Sequence, residues 1–118
     1  MFTASQKEYA DAILDHLDPD GSLIHHRFYR DSCIYTENPL GNKFYVKDLR
    51  IFENFDLKDI VIVDNAIYSF INQLENGIPI IPFRWDWEDD QLDRLIEYMP
   101  KLANESDVWT SISRNFKL

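Results

Sequence analysis

Ile60, Val61, Ile62 and Val63 form an unbroken β-branched run, and no other segment narrows the folds open to this chain as far. Strands of an antiparallel sheet with one wet face alternate apolar and polar residues. A continuous run of this kind is expected of a strand buried on both faces of a parallel sheet. The run ends abruptly in Asp64-Asn65, and in open α/β folds the carboxyl ends of the strands carry the ligand chemistry.

The neighbouring segments read consistently with that strand. Tyr9, Ala10, Ile13, Leu14 and Leu17 fall at helical spacing and predict a first helix from Gln6 to Leu17, with Ser5 as N-cap and Glu8 three residues on. Asp18-Pro19-Asp20-Gly21 stops it in a turn. An EF-hand register over these acids would place Arg27 where the bidentate glutamate belongs, so calcium is rejected. Ser22 to Arg30 reads as a strand, on which His25 and His26 point to opposite faces and cannot chelate together. Cys33 to Val46 reads as two short strands around a turn built by Asn38, Pro39 and Gly41. After the Ile60–Val63 strand come a short helix over 66–73 and a strand from Gly77. An amphipathic helix follows, carrying Leu92, Leu95, Ile96 and Met99 on one face, and a last short helix covers 107–116. The acids of "DWEDD" (86–90) favour the start of the long helix through its macrodipole. Strands alternating with helices predict one α/β domain over 1–118 with a mainly parallel sheet.

Composition sets the outer limits. A chain of 118 residues with 45% hydrophobic and 14% aromatic content is globular. Its net charge of −9 argues against non-specific nucleic-acid or anionic-membrane binding, both of which need a basic surface. The single cysteine, Cys33, cannot form an internal disulfide and points to a reducing compartment. No apolar run reaches the length of a membrane span, and no signal or transit peptide is visible at the start, which predicts a nuclear or cytoplasmic protein.

Three segments carry potential chemistry: Phe2-Thr3-Ala4-Ser5, Lys47 and Asp64-Asn65. Each alone has an ordinary structural reading, as a helix cap, a solvated lysine and a turn former. Together, in this order, a hydroxyl, an ammonium and an Asp-Asn pair at strand ends are the parts of a phosphoryl-transfer site. The hydroxyl binds phosphoryl oxygens, the ammonium offsets their charge, and carboxylate or amide oxygens suit Mg²⁺.

The segments "FTAS…EYAD", "RFYRDSC", "FYVKDL", "DIVIVDN" and "ENGIPI" resemble, in order and across essentially all 118 residues, the small phosphatases of the RNA polymerase II C-terminal domain. These form the FCP-homology (NLI-interacting-factor-like) branch of the haloacid-dehalogenase superfamily. The resemblance implies a Rossmannoid, mostly parallel sheet flanked by helices. It implies dephosphorylation of phosphoserine or phosphothreonine in protein tails, with Mg²⁺ and an aspartyl-phosphate intermediate. Carried over by residue, Thr3 is the second-motif hydroxyl and Lys47 the third-motif lysine. Asn65 is a Mg²⁺ ligand supported by Asp64, Arg30 contacts substrate phosphate, and Gln6 and Tyr9 border the peptide groove.

The sequence also departs from that family. The stretch from Cys33 to Tyr45 is a few residues longer. The family's first motif, D-x-D-x-[T/V], which supplies nucleophile and general acid from the first central strand, occurs nowhere among the 118 residues. The expectation is a partial domain that lacks that strand and is poorly stable and inert by itself, either a fragment of a complete phosphatase or a short product that needs a partner supplying the missing half. The runner-up is a non-catalytic peptide-binding module, like the presequence receptor of the mitochondrial inner-membrane translocase that shares this domain. Retention of Asn65, Thr3 and Lys47 favours descent from an active phosphatase.

Overall fold

The computed structural model describes residues 1–117. The chain divides into two compact units, Met1–Asp48 and Leu49–Leu118.

In the first unit, α1 spans Lys7–Leu17 and buries Ala10 and Leu14, one turn apart. Tyr9, Ile13 and Leu17, predicted on the same face, are exposed. The N-cap is Gln6 rather than Ser5. Ser5 is held one residue too early: its N–H donates to Thr3 Oγ1 at 3.1 Å and its carbonyl accepts from the Arg30 N–H. The helix stops as expected. Asp18 is buried, and its carboxylate accepts the N–H groups of Leu23 (3.2 Å) and Ile24 (2.8 Å), while Gly21 supplies a left-handed φ of 70°.

That capping by Asp18 explains the largest departure from the sequence reading. The predicted strand over Ser22–Arg30 does not form, because the carboxylate takes backbone N–H groups that a ladder would use. Only Phe28 pairs in strand fashion. It bridges Phe2 in parallel, receiving the Thr3 N–H on its carbonyl and donating to the Met1 carbonyl. A single 3₁₀ turn, Arg30–Ser32, leads into the predicted hairpin. Strand β1 (Ile34–Glu37) pairs antiparallel with β2 (Lys43–Val46). Asn38 Oδ1 closes the turn by accepting the N–H groups of Leu40 and Asn42, and Gly41 adopts φ 82°.

In the second unit, β3 (Ile62–Asp64) pairs in parallel with β4 (Gly77–Pro79). The strand is shorter than the apolar run because Ile60 instead closes a 3₁₀ turn over Leu57–Asp59. Burial on both faces is nonetheless what the run implied. Ile62 packs into a cluster with Leu49 and Phe70, while Val61 and Val63 pack against Ile78, Leu102, Val108 and Ile112. The predicted short helix is a run of 3₁₀ turns over Ile67–Asn76, broken at Phe70 and Gln73.

Helix α2 covers Gln91–Ala103 and α3 covers Val108–Asn115, the latter N-capped by Asp107, which accepts the Thr110 N–H at 2.8 Å. The packed side of α2 is Leu95, Tyr98 and Leu102, at i, i+3 and i+7. Leu92, Ile96 and Met99 are exposed, so only Leu95 of the four predicted core residues packs. The chain thus combines helices with small strand pairs, a mixture consistent with an α/β fold. Its strands form one antiparallel and one parallel pair among the described residues. None of the described helices is long and apolar enough to cross a membrane.

Candidate functional site

The N-terminal unit gathers Thr3, Arg30 and Lys47 around a residue that the sequence reading left out of the site, Cys33. Pairing of Met1–Thr3 with Phe28 fixes Thr3 in extended backbone, half-buried. Its hydroxyl oxygen accepts the Ser5 N–H at 3.1 Å, which leaves the O–H as a donor. Its carbonyl faces the Cys33 thiol at 3.8 Å.

Arg30 is held by two bonds to the same tetrapeptide. Its backbone N–H donates to the Ser5 carbonyl at 3.1 Å and its Nε–H donates to the Ala4 carbonyl at 2.8 Å. The guanidinium lies over the Tyr45 ring, 5.0 Å from its centroid, an arrangement that fixes the plane of the fork. With Nε committed to Ala4, the two Nη groups remain as donors.

Lys47 follows β2 directly and is half-buried. The hairpin register pairs Ile34 with Val46, so its continuation sets Cys33 across from Lys47. Burial pushes the Cys33 thiol above its ordinary range, partly offset by the charges of Lys47 and Arg30. Two cations therefore stand beside a neutral thiol. The register was the signal that could have placed Cys33 here from sequence.

Gln6 and Arg30 share a cleft of about 540 Å³ with Lys7, Tyr29, Asp31 and Tyr45. Tyr9 lies instead in a separate hollow of about 110 Å³, with Thr3, Ser5 and Ile13 among its walls. The two groove residues expected together thus line different hollows.

The C-terminal unit carries Asp64 and Asn65. Asp64 ends β3 nearly buried, and its Oδ1 accepts the Ala66 N–H at 2.9 Å, while Asn65 stands exposed. The Asp64 main-chain carbonyl accepts the Ile80 N–H at 3.1 Å, which ties the strand end to the segment after β4. The pair offers hard oxygen donors, the chemistry Mg²⁺ prefers, and Mg²⁺ commonly takes only one or two protein ligands beside water. No group of three or more His, Cys, Asp or Glu among the described residues could hold a metal by itself. A hollow of about 700 Å³ between β4, α2 and α3 is lined by none of the predicted site residues.

Comparison with known proteins finds a family match over most of the chain. The family model described as NLI interacting factor-like phosphatase matches residues 1–109, from the Thr3 segment into α3. CTD small phosphatase-like protein 2 of Dictyostelium discoideum is 43% identical over 118 residues, all of this chain and 20% of that protein. CTD small phosphatase-like protein of Homo sapiens is 37% identical over 114 residues, 97% of this chain and 39% of the relative. Carboxy-terminal domain RNA polymerase II polypeptide A small phosphatase 2 of Mus musculus is 35% identical over 114 residues, 97% of this chain and 40% of the relative. The chain thus spans between one fifth and two fifths of the length of these relatives.

Proposed function

The chain belongs to the NLI interacting factor-like phosphatase family, and from that premise we propose that it is a protein serine/threonine phosphatase domain of the CTD small-phosphatase type, acting on a phosphorylated protein tail. The observation that carries this reading is the clamping of Arg30 onto the Ala4 and Ser5 carbonyls beside Thr3 in the N-terminal unit, with the Lys47 charge felt at the neighbouring Cys33 thiol. A family match that runs through both compact units supports treating 1–118 as one domain. In this reading β3 and β4 belong to a Rossmannoid, mostly parallel sheet of the haloacid-dehalogenase type, short of its first central strand.

The roles follow from the chemistry at each atom. Thr3 Oγ1 accepts from Ser5, and its O–H donates to a phosphoryl oxygen. Arg30, steered by Ala4 and Tyr45, offers its Nη groups as a fork to two further oxygens. Lys47 brings a point charge that offsets the dianion. Gln6 meets the chain that carries the phosphate along the cleft it shares with Arg30, and Tyr9 meets it from its own hollow. Asp64 and Asn65 would hold Mg²⁺, which neutralises phosphoryl charge when bound. The sequence contains no D-x-D-x-[T/V] segment, so in this reading these 118 residues bind the phosphorylated tail, and turnover needs a nucleophile supplied from outside them.

Titration of the chain with a phosphoserine peptide in the presence of Mg²⁺ tests this reading. Thr3→Ala, Arg30→Ala and Lys47→Ala are each expected to weaken binding by about tenfold, the scale of one charge-assisted contact. Asn65→Ala is expected to remove the dependence on Mg²⁺. Turnover of an aryl phosphate by the 118 residues, abolished by Lys47→Ala, would contradict the inert assignment.

A further inference from the structure

Residues 83–90 read FRWDWEDD and form an exposed segment that neither the core nor the phosphate site uses. Phe83, Trp85 and Trp87 are 55%, 79% and 87% exposed. Neither apolar cluster of the C-terminal unit includes them. They pack on one another instead, with Phe83 5.7 Å from Trp85 and 6.4 Å from Trp87 between ring centroids. Trp85 adopts φ 60°, an uncommon conformation for a bulky residue.

The charges around these rings are one-sided. Asp86, Glu88, Asp89 and Asp90 stand against the single Arg84. Asp86 and Asp89 accept the N–H groups of Glu88 and Gln91 and so hold the turn, and Asp90 pairs with Arg94. Glu88 makes no ion pair among the described residues. Anionic partners are repelled by such a surface, whereas a cation gains both from the carboxylates and from the indole faces.

The segment is also placed to matter. Because β3 and β4 run parallel, their carboxyl ends lie at one edge of the pair. Ile80 bonds to Asp64 there, and the aromatic segment begins three residues later. We propose that Phe83–Asp90 is a docking surface for a basic, Lys/Arg-bearing segment of a protein partner, bound at the same sheet edge as Asp64-Asn65. The proposal rests on the phosphatase reading in one respect: the bound segment is taken as the flank of a phosphorylated site. The acids would repel the phosphate itself, so this surface reads only the basic flank.

The test is fluorescence anisotropy of a labelled, unphosphorylated Arg/Lys-rich peptide titrated with the 118-residue chain. A Trp85→Ala/Trp87→Ala variant is expected to bind about tenfold more weakly, the product of two exposed cation–π contacts. Both indoles are mostly solvent-exposed, so the fold, followed by circular dichroism, should stay intact. Glu88→Lys should weaken binding, whereas Glu53→Lys, with the same change in net charge, should leave it within about twofold. Equal losses from Glu88→Lys and Glu53→Lys would overturn the proposal, since net charge alone would then account for binding. So would unchanged binding by the double variant, or self-association of the chain that the double variant abolishes without any peptide affinity. Lys47→Ala separates the two readings: it should reduce affinity for a phosphopeptide and leave the unphosphorylated peptide unaffected.

Discussion

Gly77 lies against the face of Phe70: a Cβ at position 77 would stand 2.1 Å from the Cδ2 and Cε2 atoms of that ring. Phe70 is fully buried with Leu49 and Ile62, so the ring has no direction in which to retreat. Glycine is required here for space, its φ of −100° being ordinary. Gly77→Ala is expected to destabilise the chain by about 3 kcal/mol, at the upper end for overpacking, because the clash is with a rigid ring. Urea denaturation checks it, and adding Phe70→Leu should return part of the loss.

The residue before that glycine makes a separate prediction. Asn76 is fully buried, its amide N–H groups donate to the carbonyls of Leu57 and Ile60, and its Oδ1 accepts the Trp109 indole N–H at 3.1 Å. One side chain thereby ties a 3₁₀ turn and α3 to the connection before β4. Asn76→Ala leaves three polar groups short of a partner and should cost about 3 kcal/mol. Asn76→Asp should cost more, since a carboxylate would face two carbonyl oxygens. Denaturant midpoints give the ranking, and Trp109 emission reports the broken contact directly.

Neither Gly77 nor Asn76 could be singled out from sequence, and the reason is general to this chain. Local signals were legible where local chemistry decides the structure. The Asn38–Gly41 turn, the Pro19–Gly21 stop and the apolar run at Ile60 behave as their residues dictate. Sequence reading failed where a distant or competing group decides. Asp18 takes the N–H groups of Leu23 and Ile24, so Ser22–Arg30 is no strand. Arg30 engages the Ser5 carbonyl, so Ser5 is no cap. In α2 several apolar residues recur at helical spacing, and tertiary packing selects Leu95, Tyr98 and Leu102 among them. Of the proposed site, Thr3, Arg30 and Lys47 were named through resemblance, whereas the place of Cys33 opposite Lys47 required the hairpin register.

The pH dependence of the N-terminal unit should trace to Asp11. Lys7, then Tyr29 and Arg27, hydrogen-bond its carboxylate and hold its pKa well below the ordinary 3.8. A folded value below the unfolded one means the contribution is complete above 3.8 and is lost as pH falls through the folded value. Wild type and Asp11→Asn should therefore differ by a constant interval in melting temperature from neutrality down to about pH 5. The interval should close in stronger acid. A gap that widens with acid would reverse the sign and contradict the assignment.

Arg30→Lys isolates the geometry of the phosphate site from its charge. The arginine is steered by its Nε bond to Ala4 and by the Tyr45 face, and both depend on a planar guanidinium. Lysine keeps the positive charge but can present no fork. If the fork matters, Arg30→Lys should lose nearly as much affinity for a phosphoserine peptide as Arg30→Ala, about tenfold. Tyr45→Leu should then cause a smaller loss of its own, through a less restrained guanidinium. Calorimetry on the three variants decides the matter. Wild-type affinity in Arg30→Lys would reduce Arg30 to a point charge beside Lys47, and the contacts to Ala4 and Tyr45 would then serve only to hold the N-terminal segment in place.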